Sequence, residues 1–215
     1  MSMPKIRRKT RPFFRARKDK NENSHLDEKA WLRAETIRLI GKPQVSVLDA
    51  YAGEGHVWMR TQELIPDVVI LRMAIEKRKS AAEQNAIVGD NMKVLPTLDL
   101  QQFDLIDLDA FGFPTEQIRI CAEKAPNVPV VMTAIANHYA PTPYTVTDAV
   151  GIPEHWRKVD GPYPHMLFAK KRWTYWEHYL WSLGYRNATR IHMPDFGYTK
   201  RYEVLWSAEA WAKVQ

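Results

Sequence analysis

Short β-branched runs alternate with amphipathic stretches along most of this chain. Leu26, Ala30, Ala34 and Ile37 recur three and four residues apart behind Ser24-His25-Leu26-Asp27, which has the form of a capping box. That spacing predicts a helix, and Gly41 and Pro43 predict its end. Val45-Ser46-Val47-Leu48-Asp49 predicts a strand ending in an acid, then a glycine-containing turn and a helix-compatible stretch to Leu64. The pattern repeats with strand-like Val68 to Glu76, helical Lys77 to Ala86 and strand-like Ile87 to Gly89. Phe103 to Asp109 reads as a buried strand. Pro114 can open a helix whose apolar face is Ile118, Cys121, Ala122 and Ala125, and Val128 to Ile135 reads as a fifth strand.

Strands alternating with helices favour a parallel sheet. Residues 138–165 lack periodicity and contain five prolines, so they read as a long loop at the sheet's carboxyl edge, of the kind that is usually functional or disordered. A helix resumes near Met166 with Ala169, Trp173, Trp176, Leu180 and Leu183 on one face and Gly184 as its stop. Two strands close the chain, Tyr185 to Met193 and Arg201 to Ser207, the second alternating Tyr202, Val204 and Trp206 as a half-buried strand does.

Composition narrows the class. An apolar fraction of 45% over 215 residues suits one globular domain that buries its own core. Cys121 is the only cysteine, which excludes an intrachain disulfide and a cysteine-based zinc site. No run approaches the roughly 20 apolar residues of a membrane span, and the first residues lack the apolar centre of a secretory signal. The expectation is a soluble, cytoplasmic protein with no membrane partner.

The net charge of +6 is unevenly placed, because residues 1–20 hold nine Lys or Arg against the single acid Asp19. The basic character therefore belongs to an arm, residues 1–23, and not to the domain of residues 24–215. Phe13 and Phe14 interleave with the basic residues, a pattern that can neutralise phosphates and stack on bases. A solubilising end, a transit peptide or a nuclear address fits the same composition, although Pro4 and Pro12 oppose one amphipathic helix through it.

The candidate chemistry starts at Asp49-Ala50-Tyr51-Ala52-Gly53-Glu54-Gly55, two glycines between a strand and a helix. Glycine lets the backbone turn sharply and a ligand approach it closely, but the spacing is not the longer dinucleotide fingerprint. Glu76 ends the second strand, where a carboxylate can accept both hydroxyls of a ribose. Asp90 ends the third, where it can accept from an adenine amine while Met92 lies on the purine. Any one of these acids alone reads as a helix N-cap. Three independent caps would rarely fall at the same edge of one sheet.

With these residues the chain resembles the class I S-adenosylmethionine-dependent methyltransferases, through Val47-Leu48-Asp49 to Gly55, then Glu76, then Gly89-Asp90-Asn91. The resemblance spans about residues 45–207. It implies an α/β fold, a Rossmann-like three-layer sandwich with a mostly parallel seven-stranded sheet whose last two strands form an antiparallel pair. It also implies S-adenosylmethionine as cofactor, with Asp49, Tyr51, Gly53, Glu54 and Gly55 towards the methionine part, Glu76 towards the ribose, and Asp90, Asn91 and Met92 towards the adenine.

The acceptor side starts at Asp107-Leu108-Asp109-Ala110-Phe111-Gly112-Phe113-Pro114. This turn is similar to that of the tRNA guanine dimethyltransferases, which carry Asp-x-Asp-Pro-Phe-Gly; Ala110 stands where that pattern has proline. A sulfonium donor needs mainly an aligned nucleophile. An amine could donate to Asp109 and to the carbonyl of Ala110 while Phe111 packs on the ring, giving direct in-line transfer without a covalent intermediate. The alternative is structural, with Asp107 or Asp109 capping the Pro114 helix and Phe111 and Phe113 filling core. His138, Tyr139 and Tyr144 could hold an extruded or single-stranded base. The histidines show no metal-ligand spacing, and no metal is expected. The reading that results is N-methylation of a nucleobase, in RNA in preference to DNA. The rivals are a small-molecule or protein methyltransferase, a non-catalytic binding module, and a nucleotide-binding oxidoreductase that the glycine spacing fits poorly.

Overall fold

The computed structural model describes residues 25–79, 86–137, 144–152, 171–195 and 198–214. Seven strands form one sheet: β1 (Gln44–Asp49), β2 (Val69–Glu76), β3 (Ile87–Val88), β4 (Leu105–Asp109), β5 (Val130–Asn137), β6 (Tyr185–Asp195) and β7 (Tyr198–Ser207). Their order is β3-β2-β1-β4-β5-β7-β6. The first five run parallel, whereas β7 pairs antiparallel with both β5 and β6. The expected α/β, mostly parallel seven-stranded architecture is the one observed. The order reverses between β1 and β4, and in open sheets of this kind the crevice outside the carboxyl ends of the strands at such a switch is where ligands bind.

Helices cover both faces. On one lie α1 (Leu26–Ile40) and α2 (His56–Leu64), packed over Val45, Val47, Leu105, Val131, Tyr202 and Val204. On the other lie α3 (Asn91–Val94), α4 (Thr115–Lys124), α5 (Tyr144–Ala149) and α6 (Arg172–Ser182), over Leu48, Ile75, Ile106, Leu108, Met132 and Leu205. A short α7 (Ala208–Ala212) ends the described chain, capped by the Ser207 hydroxyl on the Ala210 N–H at 3.0 Å. Among the described residues no helix is long and apolar enough to cross a membrane.

Periodicity places most elements within a few residues of their observed bounds. Gly41 ends α1 with φ 70°, a left-handed conformation that suits glycine. The helix opens differently from the predicted box: His25 is the N-cap, with no side-chain cap bond, and Ser24 lies outside the described residues. Of the stretch Lys77 to Ala86 read as helix, Lys77–Lys79 and Ala86 are not helical, and residues 80–85 lie outside the described residues. Within residues 138–165, Tyr144–Ala149 is helical and buries Val146; residues 138–143 and 153–165 lie outside the described residues.

Helix α1 carries a feature that apolar spacing conceals. Arg33 is buried and donates to both carboxylate oxygens of Asp107 in the middle of β4, from Nε and Nη2, each at 2.7 Å. A buried bidentate pair of this kind is strongly destabilised when one partner is removed, because the other charge stays buried alone. We predict that Arg33→Met lowers the unfolding free energy by about 3–5 kcal/mol, and that Arg33→Met with Asp107→Leu recovers most of it. Urea denaturation of both variants checks this.

Candidate cofactor and acceptor site

Asp49, Glu76 and Asp109 stand at the carboxyl ends of β1, β2 and β4, around the switch point. Asp49 is buried, and its carboxylate accepts from the Tyr51 N–H at 3.2 Å and from Arg72 at 3.0 Å. Burial pushes this carboxyl up to about 8, helped by Asp107 beside it on β4 and opposed by Arg72 and Arg33. The loop after β1 turns at Gly53 (φ 53°) and Gly55 (φ 77°), and a Cβ at Gly53 would meet nothing within 4 Å. The loop therefore leaves an open cradle. The buried Glu76 carboxylate braces it by accepting the Gly53 N–H at 3.1 Å, and takes the Arg78 N–H at 2.8 Å. Glu54 is exposed, within 2.9 Å of His56.

Asp90 caps α3 by accepting the Met92 N–H at 3.1 Å, and it also pairs with Lys77 at 2.7 Å. The capping role therefore holds for Asp90 beside any ligand role. Lys77, followed by the Met92 amide, holds its carboxyl below the usual carboxylate range. Asn91 ties the two loops together, donating to the Ala50 carbonyl at 3.0 Å and accepting from Gln117 at 3.2 Å. Met92 is exposed beside it.

On the acceptor side the two acids of β4 divide. Asp107 is enclosed by Arg33 and by the indole N–H of Trp58 at 2.9 Å, so it does not cap the Pro114 helix. Asp109 accepts from Lys29 at 2.7 Å and from the Thr133 hydroxyl, and its side chain stays 18% exposed. Burial alone would raise the Asp109 carboxyl; Lys29 and Arg33 outweigh it and hold the group below its ordinary value. Ala110 is buried, and the chain then turns through Gly112 (φ 122°). That turn throws Phe111 out to 90% exposure while Phe113 packs between Trp173 and Trp176, at centroid distances of 5.5 and 5.1 Å. Phe113 thus fills core as the structural alternative has it, and Phe111 does not. Tyr144 is exposed at the start of α5; His138 and Tyr139 lie outside the described residues.

Sequence reading passed over Lys29, Arg33, Trp58, Arg72 and Thr133. A signal for the first two existed: Lys29 and Arg33 share the i, i+4, i+8 stripe of buried Ile37, and two acids in a buried strand call for counter-charges. Among the described residues, no three His, Cys, Asp or Glu come together as a metal-holding set. Cys121 is buried, its thiol pushed up to about 12 by burial.

No family model and no curated protein matches this sequence. Solved structures do. Trm1 from Pyrococcus horikoshii, in complex with S-adenosyl-L-methionine, superposes with a TM-score of 0.52 at 14% identity, covering 91% of this chain and 58% of that one. A protein described as a probable spermidine synthase from Corynebacterium glutamicum gives 0.51 at 11% identity, covering 84% and 63%. Magnesium protoporphyrin IX methyltransferase from Synechocystis PCC 6803 gives 0.49 at 18% identity, covering 85% and 82%. This chain thus spans about six-tenths of the length of the first two. This chain shares the Rossmann-like α/β fold of the first two structures.

The raised Asp49 carboxyl makes a prediction for the unliganded protein. A folded-state value lifted from 3.8 to about 8 means the native state binds this proton more tightly than the unfolded chain, so the stability it contributes is full at low pH and is lost as pH rises through 8. Asp49→Asn lacks that loss. Its melting temperature relative to the unsubstituted protein should rise from pH 6 to pH 9, measured by differential scanning fluorimetry.

Proposed function

We propose that this chain is an S-adenosylmethionine-dependent methyltransferase acting on a nitrogen of a nucleobase, in RNA in preference to DNA. The observation that carries the reading is the grouping of Asp49, the open Gly53 cradle, Glu76 and Asp109 at one switch point, with Phe111 standing exposed two residues beyond Asp109. The donor set suits the cofactor: a buried carboxylate at Asp49 for the methionine ammonium, a backbone turn open at Gly53, Glu76 for ribose hydroxyls, and Asp90 with Met92 for the adenine. When bound, that cofactor supplies an electrophilic methyl group.

The protein's part is alignment. An amine acceptor donates to Asp109 and to the Ala110 carbonyl while Phe111 lies along the base, which holds the nitrogen on the line of transfer. Asp109, held low by Lys29, is a poor proton acceptor and a good hydrogen-bond acceptor, so the proton lost from the methylated nitrogen passes to solvent. Direct transfer suits the site because the only cysteine is sunk in the core, its thiol pushed up to about 12. The RNA preference draws on the basic arm of residues 1–20 and on the likeness of the Asp109 turn to that of the tRNA guanine dimethyltransferases. Trm1, whose structure shares this fold, is a tRNA methyltransferase. The fold alone does not select the reaction, since a protein described as a probable spermidine synthase is among the structures that share it.

The test is methyl incorporation from labelled S-adenosylmethionine into separate RNA, DNA, protein and small-molecule pools, with calorimetry of cofactor binding on the same sample. Label in RNA is the expected outcome. Label only in the protein or small-molecule pool overturns the acceptor, binding without label overturns catalysis, and no binding overturns the cofactor. Asp109→Ala should cut turnover about a hundredfold while leaving cofactor affinity within about twofold, because it removes an aligning contact to the acceptor only. Glu76→Ala should weaken cofactor binding about tenfold or more, the scale of a lost charge-assisted hydrogen bond. Deleting residues 1–20 should weaken binding of RNA and reduce its salt dependence.

A further inference from the structure

Helix α1 reaches the acceptor turn through a matched pair of charges. Lys29 and Arg33 are four residues apart on the helix, a rise of about 6 Å; Asp107 and Asp109 are two apart on the strand, a rise of about 6.6 Å. The two spacings agree, so one face of α1 sets both cations against both acids, Arg33 on Asp107 and Lys29 on Asp109. The helix is further tied by the Arg33 Nη1 donating to the Lys29 carbonyl at 2.9 Å.

The two pairs are not equivalent. Asp107 accepts from three donors, two from Arg33 and one from Trp58, and is closed off from any ligand, with both ion-pair side chains at 1% and 2% exposure. Asp109 accepts one bond on each oxygen, Lys29 on one and Thr133 on the other. A carboxylate offers about four acceptor positions, so each oxygen retains capacity, and the group reaches solvent at 18% exposure. Anchoring the sheet is already done by the inner pair. The outer pair leaves a fixed carboxylate with open lone pairs at the carboxyl end of β4, where the acceptor turn begins.

We propose that Lys29 is a positioning residue for methyl transfer: together with Thr133 it fixes the plane of the Asp109 carboxylate so that its remaining lone pairs face the acceptor amine. The proposal rests on the reading of Asp109 as the acceptor-binding group. It makes α1 part of the acceptor site, although α1 precedes every motif of the cofactor site in sequence.

The experiment uses the full chain and the labelled-methyl assay on the pool that the unsubstituted protein methylates. Lys29→Met should lower kcat about ten- to a hundredfold with cofactor affinity by calorimetry within about twofold of the unsubstituted value. Lys29→Arg, which keeps a cation within reach of Asp109, should recover most of the loss, and Thr133→Val should show a smaller loss of the same kind. A merely structural Lys29 would instead lower the melting temperature and cofactor affinity along with activity. Should Lys29→Met not fold, Lys29→Gln against Lys29→Arg carries the same comparison. Full kcat in a folded Lys29→Met or Lys29→Gln overturns the positioning role and leaves the methyl-transfer reading intact. Absence of transfer by the unsubstituted protein to any nucleic-acid pool overturns the acceptor reading, and this role with it.

Discussion

The buried pair between Arg33 and Asp107 is the constraint on which the rest of the structure depends. Two charges taken out of water cost more than most folds tolerate unless their geometry satisfies every donor and acceptor. Here Nε and Nη2 each reach a carboxylate oxygen at 2.7 Å, and Trp58 supplies the third donor. Few placements of α1 over β4 meet those requirements at once. The pair therefore fixes the helix in both position and rotation, brings α2 with it through Trp58, and sets Lys29 opposite Asp109.

Around that pair each acid of the sheet edge has a cation of its own, Arg72 on Asp49, Arg33 on Asp107 and Lys29 on Asp109. Asp49 and Asp107 are register partners on β1 and β4, and their proximity, added to burial, is why the Asp49 carboxyl stays high despite Arg72. Asp109, one step further out, is held low by Lys29 and Arg33. Neighbouring carboxylates on one edge thus lean in opposite directions, Asp49 towards its protonated form and Asp109 towards its ionised form. Environments that push neighbouring titrations apart are a common mark of sites that bind or align charged groups.

A second buried charge cluster steadies the far side. Glu203 on β7 is fully buried, accepts from the Trp176 indole at 3.1 Å and pairs with Arg190 at 2.6 Å, while Arg201 lies 4.2 Å over the Trp173 ring. Trp173 and Trp176 are the same rings that hold Phe113. The hairpin of β6 and β7 is thereby connected through α6 to the turn after β4, which keeps Phe113 inward and leaves Phe111 to project.

The sequence by itself determined the alternation of strands and helices, because apolar periods of two and of three to four follow directly from backbone geometry. It also determined the loop of Gly53 and Gly55, since positive φ at those positions narrows the residue choice to glycine. The acids that end β1, β2 and β4 were legible for the same local reason. What only the tertiary structure decided is which of those acids is free. Asp107 and Asp109 look alike in sequence, and nothing local separates an acid enclosed by Arg33 from one that Lys29 holds at the surface. Those partners come from 74 and 80 residues away. The bracing of Gly53 by Glu76 and the pairing of Asp90 with Lys77 belong with them. Each depends on contacts between segments, and a local pattern carries no information about the partner on the other side.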